Sequence, residues 1–370
     1  MRNLFKYYFK KRWPFILFIS IAAVIINFLI LLDYNGSYYR IYDYGYDFIE
    51  TPPVVFATIL AAILASVIPM IEFSFKMKKI NVDLMYSLPI KRNKLFISTL
   101  LFSIIEVLIP ITLIYWQSFL NVLLSTHKYE LIYFPLYYLI LVFISIGLTC
   151  IVSFIFCRNN RIVDGAINVA MFATAPMAVV YALQALLATY RKTFFVRIIL
   201  DGSFYSIYSP FFTMFDKFEN LIKGYDPATE IALATSNYNL TILISMILFT
   251  LISIGSVIGL YKFASIDKAE NTMQQSTSAF SYKVMIPILV ISLFILAHES
   301  LLLAIGYIGV PAIGLYCFYN RTVKLKTKQW LLIILYLLIG FILAVIADNV
   351  GSTPWMPTPV QGISSNTIFF

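Results

Sequence analysis

Carboxyl groups inside long apolar stretches are the residues of this sequence with the clearest potential for chemistry. Glu106 lies within the apolar stretch 95–124, whereas Glu72, Asp164 and Asp348 fall at the ends of such stretches, where water and basic neighbours are expected to be close. A carboxyl group surrounded by lipid is costly, so Glu106 is expected to face protein or a polar path. Three roles are open for it: it could line a translocation path, hold a proton, or hydrogen-bond a neighbouring helix.

Other catalytic chemistry has little support. His127 and His298 are far apart and belong to no H-E-x-x-H pattern, which argues against a zinc site. The sequence contains no G-x-x-x-x-G-K-[ST] motif, so this chain is not expected to hydrolyse ATP in the P-loop manner. Cys150, Cys157 and Cys317 lie in or beside apolar stretches, as packing residues do. We therefore expect no enzyme activity and no cofactor, metal or catalytic residue in this chain.

Composition identifies the environment of these residues. The chain has 370 residues, of which 61% are hydrophobic and 12% charged, a balance found in membrane proteins rather than soluble ones. The net charge of +9 comes from residues placed between the apolar stretches. Such residues set orientation and attract anionic lipid, so membrane lipid is the expected partner of the charge and nucleic acid is not. The expected fold class is an all-α polytopic membrane protein.

Nine membrane spans are predicted from the apolar stretches. Residues 1–13, basic and rich in aromatic side chains, are expected to form an interfacial helix before the first span. Most of the 27 lysine and arginine residues then fall on the inner side, which places the N-terminus inside and the C-terminal tail outside. The predicted spans are 14–32, 54–72, 95–124, 132–157, 164–190, 239–263, two within 284–318, and 330–347.

The stretch 284–318 is the ambiguous part of this topology. It is long enough for either one span or a hairpin of two short spans. A hairpin places Arg321, Lys324, Lys326 and Lys328 inside, as the positive-inside rule favours, and a single span places them outside. We predict the hairpin.

A short basic amphipathic segment, 75–94, lies between the second and third spans. If residues 75–88 are helical, Met77, Ile80, Leu84 and Leu88 share one face, while Lys76, Lys79 and Asp83 lie away from it. Pro89 is expected to end the helix. Such a cytoplasmic helix, joined to a span on each side, offers a soluble partner something to push on.

Residues 191–238 form the longest stretch between spans. Their aromatic and apolar pieces alternate with polar residues and are too short to cross a bilayer of about 30 Å as helices. We expect helices that dip into the outer side and return, or that lie at the interface.

This order of elements resembles the permease subunit of bacterial ABC-2-type exporters. The stretch formed by Asp83, Ser87, Leu88, Pro89, Ile90 and Arg92 is similar to a D-x-x-x-S-L-P-[IV]-x-R motif of that family. The segment from Tyr261 to Glu270 also resembles a basic region of Ytr-type permeases of low-GC Gram-positive bacteria. The resemblance implies a six-span core over residues 1–265. Residues 266–370 would add a cytoplasmic linker, about three extra C-terminal spans and an outer tail.

The resemblance also implies a function. The chain would move an amphipathic or hydrophobic substrate, such as a peptide, lipid or drug, using ATP and Mg²⁺ bound by a separate ATPase dimer. A second copy or a related permease would complete the membrane part, in the cytoplasmic membrane of a bacterial cell. Residues 75–90 would be the coupling helix. The coupling residues would be Met77, Lys79, Ile80, Asp83, Leu84, Ser87, Leu88, Pro89 and Arg92.

Two functions of other classes are weighed against this one. An ion-coupled secondary transporter would require paired intramembrane acids or unwound helices in corresponding halves. A membrane-embedded transferase would require a catalytic cluster of His, Asp and Glu.

Overall fold

The computed structural model describes residues 2–34, 52–87, 89–123, 131–187, 202–222, 232–266, 274, 282–297, 301–322 and 324–351. Every regular element in these ranges is a helix. The α-helices are α1 (Arg2–Tyr34), α2 (Pro52–Phe73), α3 (Lys79–Tyr86), α4 (Arg92–Leu123), α5 (Tyr133–Cys157), α6 (Ile162–Leu186), α7 (Ser209–Ile222), α8 (Ala232–Ala264), α9 (Tyr282–Leu296), α10 (Leu301–Asn320) and α11 (Thr327–Gly351). Short 3₁₀ helices occupy Ser74–Met77 and Gly202–Tyr205.

Seven of the described helices are long and apolar enough to cross a membrane, which confirms an all-helical, multi-pass membrane protein. Pro69, Pro110 and Pro176 lie inside three of them, as is tolerated where neighbouring helices satisfy the freed backbone groups. The crossing segments are Phe9–Ile30, Val54–Met77, Arg92–Leu123, Tyr133–Cys157, Ile162–Leu186, Leu240–Ala264 and Thr327–Ala347.

Within the described residues, seven of the nine predicted spans correspond to such segments, and the two helices of 284–318 are not among them. The N-terminal region also differs from expectation. The interfacial helix and the first span form one continuous helix, α1, which runs through Pro14.

The main core surrounds α5, which packs against α2, α4, α6, α7 and α8. Most of its side chains are buried, whereas α8 keeps many large apolar side chains exposed, as expected of a helix that faces lipid. Gly147 of α5 allows close approach of α8, since a Cβ there would lie 2.5 Å from the ring of Phe249. Helix α5 is thus the central helix of the bundle.

The segment that contains α7 enters the bundle without crossing it. The 14 residues of α7 give a length of about 21 Å, which is shorter than the hydrocarbon layer. Phe218 stacks on Tyr137 of α5, with ring centroids 4.3 Å apart. Just before α7, the Tyr208 hydroxyl lies 3.0 Å from Ser66 Oγ, well inside α2. Of the predicted outer segment 191–238, residues 191–201 and 223–231 lie outside the described residues.

The C-terminal helices form a second cluster joined to the first through α6. Helix α9 packs against α6, α10 and α11, with its own apolar core. The ring of Tyr282, at the start of α9, lies 5.1 Å from that of Tyr319, at the end of α10. The two ends meet, so 284–318 has the arrangement of a hairpin and not of one continuous helix.

Basic residues collect at one end of the bundle, which we call the basic end and define by Arg12, Lys76, Arg92, Arg158 and Arg321. Lys76 reaches the carbonyl of Cys157, next to Arg158, at the end of α5. Arg321 pairs with Asp164, near the start of α6, at 3.5 Å. The loops after α2, α5 and α10 are therefore at the same end of the molecule as the start of α1.

Candidate functional site

The candidate site at the basic end is α3, whose position depends on the turn before it. Phe73 and Phe75 pack on Phe96 of α4, with ring centroids 5.9 and 6.0 Å apart. Met77 is buried, and its methyl group lies 3.4 Å from the position that a Cβ on Gly165 would occupy. These contacts fix the entry to α3 against α4 and α6.

The helix is shorter than the predicted 75–88, and this changes its faces. Residues Ser74–Met77 form a 3₁₀ turn, and Lys78 is extended (φ −116°, ψ 118°), so α3 starts at Lys79 and ends at Tyr86. The break resets the helical rotation between Met77 and Ile80. Met77 therefore points into the core. The prediction that it shares a face with Ile80 and Leu84 is wrong.

The remaining apolar anchors form a pair on the outside of α3. Ile80 is 85% exposed and Leu84 is 61% exposed, at the i, i+4 spacing that places both on one face. Val82 is buried and holds the opposite face of the helix. Lys79 and Asp83 are exposed beside the pair. This face is apolar at its centre and charged at its sides, which suits helix-in-groove docking.

The other predicted coupling residues lie at the exit from α3. The Ser87 N–H donates to the Asp83 carbonyl at 3.1 Å and ends the helix. Pro89 is exposed, and Leu88 lies outside the described residues. The Arg92 guanidinium lies over the Tyr86 ring, 4.5 Å from its centroid. This contact joins the end of α3 to the start of α4.

Lys76 is a functional candidate that sequence reasoning missed. The sequence placed it away from the apolar face, but its side chain is buried and its ammonium donates to the carbonyl of Cys157, the last residue of α5. A cation at the C-terminus of a helix satisfies a free carbonyl and complements the helix dipole. Lys76 therefore ties the α2–α3 joint to α5. The presence of a lysine in the sequence does not show that its partner is the carbonyl of Cys157.

Glu106 has partners on two other helices. Its side chain is 1% exposed and interacts electrostatically with Glu72 of α2 and Arg12 of α1. Arg12 Nε lies 2.8 Å from Glu72 Oε1. Helical side chains lean toward the N-terminus of their helix. On the antiparallel α2 and α4, Glu72 and Glu106 therefore lean toward each other.

Glu72 is a second residue, after Lys76, whose role sequence reasoning missed. Its place near the end of a span predicted contact with water, but it is buried. The described residues contain no group of three or more His, Cys, Asp or Glu side chains that could hold a metal ion. His127 and His298, for which the sequence predicted no zinc site, lie outside the described residues. The arrangement can bind a partner at α3 and can hold charge or a proton at Glu72, Glu106 and Arg12.

No family model, no curated protein and no solved structure matches this chain.

Proposed function

We propose that this chain is the permease subunit of an ABC-2-type exporter, driven by a separate ATPase that docks on α3. The observation that carries the proposal is the exposed apolar pair of Ile80 and Leu84 on a short helix between two membrane-crossing helices. Lys79 and Asp83 are exposed on the same short helix and Lys78 is exposed just before it, so charges flank the apolar pair. A groove on a soluble partner would cover the pair and leave these charges at its rim.

The connections of α3 support its role as a lever. On one side, the buried residues Phe75, Lys76 and Met77 join it to α2 and the core. On the other side, the Arg92–Tyr86 contact joins it to α4. A force on α3 is therefore transmitted to both helices. ATP binding would shift the equilibrium between two arrangements of α2 and α4 to the extent that the ATPase binds one of them more tightly.

The remaining parts of the proposal follow the same family resemblance. ATP and Mg²⁺ belong to the ATPase, and this chain contributes no catalytic residue. A second permease copy or a related permease would form the other half of the path, in a bacterial cytoplasmic membrane with the basic end inside. The aromatic segment around α7, which enters the bundle between α2 and α5, suits an amphipathic or hydrophobic substrate.

An ion-coupled secondary transporter is the second candidate, and one observation favours it. Glu72 and Glu106 form the pair of intramembrane acids that such a transporter would require. The two candidates differ in their need for a motor. A secondary transporter would work in the absence of any ATPase that binds α3.

Variants of the exposed pair test the proposal. We expect the detergent-solubilised wild-type chain to co-purify with a P-loop ATPase from its native cells. Ile80→Asp and Leu84→Asp each remove an apolar contact worth about 1.5–3 kcal/mol when buried. Each should therefore weaken ATPase binding about tenfold or more. Quantitative mass spectrometry of the eluate measures the ratio of ATPase to permease.

Ile266→Asp is the matched control, because Ile266 is 67% exposed and follows α8 near the same end of the bundle. It should leave the ratio unchanged. The proposal fails if no P-loop ATPase co-purifies with the wild type, or if all three variants retain it equally.

A further inference from the structure

The group formed by Arg12, Glu72 and Glu106 is unbalanced in charge. It joins three helices and contains one guanidinium and two carboxyl groups, both of them buried. Lys11, the other cation that acts on Glu72, is exposed on α1. Two ionised carboxyl groups at this place would leave one negative charge without a buried partner, which a low-dielectric interior strongly disfavours.

The surroundings of the Glu106 carboxyl group indicate how this imbalance of charge is resolved. Among the described residues, no donor reaches either of its carboxyl oxygens. Its neighbour Glu72 also presents carboxyl oxygens, and two ionised carboxylates can only accept hydrogen bonds. A proton on one of them turns this contact into an O–H···O hydrogen bond with an ionised acceptor, which is a strong type.

A second buried polar group lies next to the pair. Ser103 is one turn before Glu106 on α4 and lies on the same side of the helix. Its Oγ is fully buried and has no hydrogen-bond partner among the described residues. The part of the α2–α4 contact around Ser103 and Glu106 therefore contains polar atoms that have no hydrogen-bond partner among the described residues.

We propose that Glu72 and Glu106 form a proton-binding site that holds one proton between the two carboxyl groups, with Arg12 balancing the remaining negative charge. Arg12 is the partly exposed member, with 29% of its side chain accessible, so the site opens toward the basic end. The proton leaves to water on that side when the two carboxyl groups separate. Separation requires a shift of α2 against α4, the two helices that α3 connects.

The site does not depend on the proposed function, because it lies within one chain and needs no motor. Infrared difference spectra, wild type minus each variant, test the proton-binding site. They are recorded at neutral pH on the purified full-length chain in lipid nanodiscs. The wild type should show the C=O stretching band of a protonated carboxylic acid. Glu106→Gln should abolish the band, because Glu72 is then ionised and paired with Arg12. Glu72→Gln should abolish it as well, because Glu106 then pairs with Arg12.

Both variants keep the charge balance and the shape of the site, so they should retain the elution profile of the wild type. Asp216→Asn, at an exposed position of α7, is the control that should leave the band intact. A wild type without the band would overturn the proposal. A band that survives in either Glu variant would also overturn it, since the proton would not be shared. A band removed by NaCl would assign the site to Na⁺ instead.

Discussion

Lys76 is the residue on which the attachment of α3 to the bundle depends most. Its ammonium is buried and donates to the last carbonyl of α5, while its neighbours Phe75 and Met77 are packed in the core. Lys79, three residues later, is exposed. The two lysines have similar sequence surroundings and different physical roles.

Charge reversal at these two positions should therefore have different effects. Lys76→Glu would place a buried carboxylate against a carbonyl oxygen at the negative end of the α5 dipole. We expect a loss of stability of about 3–5 kcal/mol, the range for a buried charge left without its partner. Lys79→Glu should change stability little. Melting temperatures of the two purified variants in the same detergent measure the difference, and equal temperatures would contradict the buried contact.

At the residue scale, sequence reasoning identified single side chains but not their partners. Glu106 stood out because an acid inside an apolar stretch is rare. Its partner Glu72 did not, because proximity to the end of a span predicted water. Their pairing depends on the register of α2 against α4, which no local pattern of residues specifies.

At the scale of elements, α3 differs from its sequence pattern because of a single break. The amphipathic pattern over 75–88 assumed one continuous helix with 100° of rotation per residue. The extended Lys78 interrupts that rotation, so Met77 belongs to the core and Ile80 and Leu84 to the surface. A hydrophobic period does not reveal a one-residue break of this kind.

The contact between α9 and α11 gives a test of the C-terminal helices. A Cβ on Gly340 of α11 would lie 2.8 Å from Cβ of Phe294, which the backbone of α9 holds in place. Gly340→Ala should therefore force the helices apart and cost about 1–3 kcal/mol, as overpacking does. The expected readout is a lower melting temperature in detergent.

Gly314→Ala is the control for this variant, because nothing lies within 4 Å of the position of its Cβ on α10. It should match or slightly exceed the wild type, since alanine favours a helix more than glycine does. Equal melting temperatures for the two variants would mean that α9 and α11 do not pack as described.

At the scale of the whole molecule, hydropathy alone predicted most of the helices, because each must span a layer of fixed thickness with few charges. Six predicted spans and the last one correspond to the seven long apolar helices. The pair α9 and α10 was harder to predict from hydropathy, because α9 has only 15 residues and is short for a helix that crosses a bilayer. Which helices pack together, such as α6 with α9 and α11, depends on side-chain fit across the bundle and was not predictable.

The central claim is that α3 faces the cytoplasm, where a nucleotide-driven motor can bind it. Cysteine accessibility in intact cells tests this, in a chain with Cys317→Ser, since Cys150 and Cys157 are buried. With a membrane-impermeant maleimide, Ile132→Cys at the opposite end should react in intact cells. Leu84→Cys and Lys326→Cys should react only after lysis. Reaction of Leu84→Cys in intact cells would place α3 outside and contradict the account.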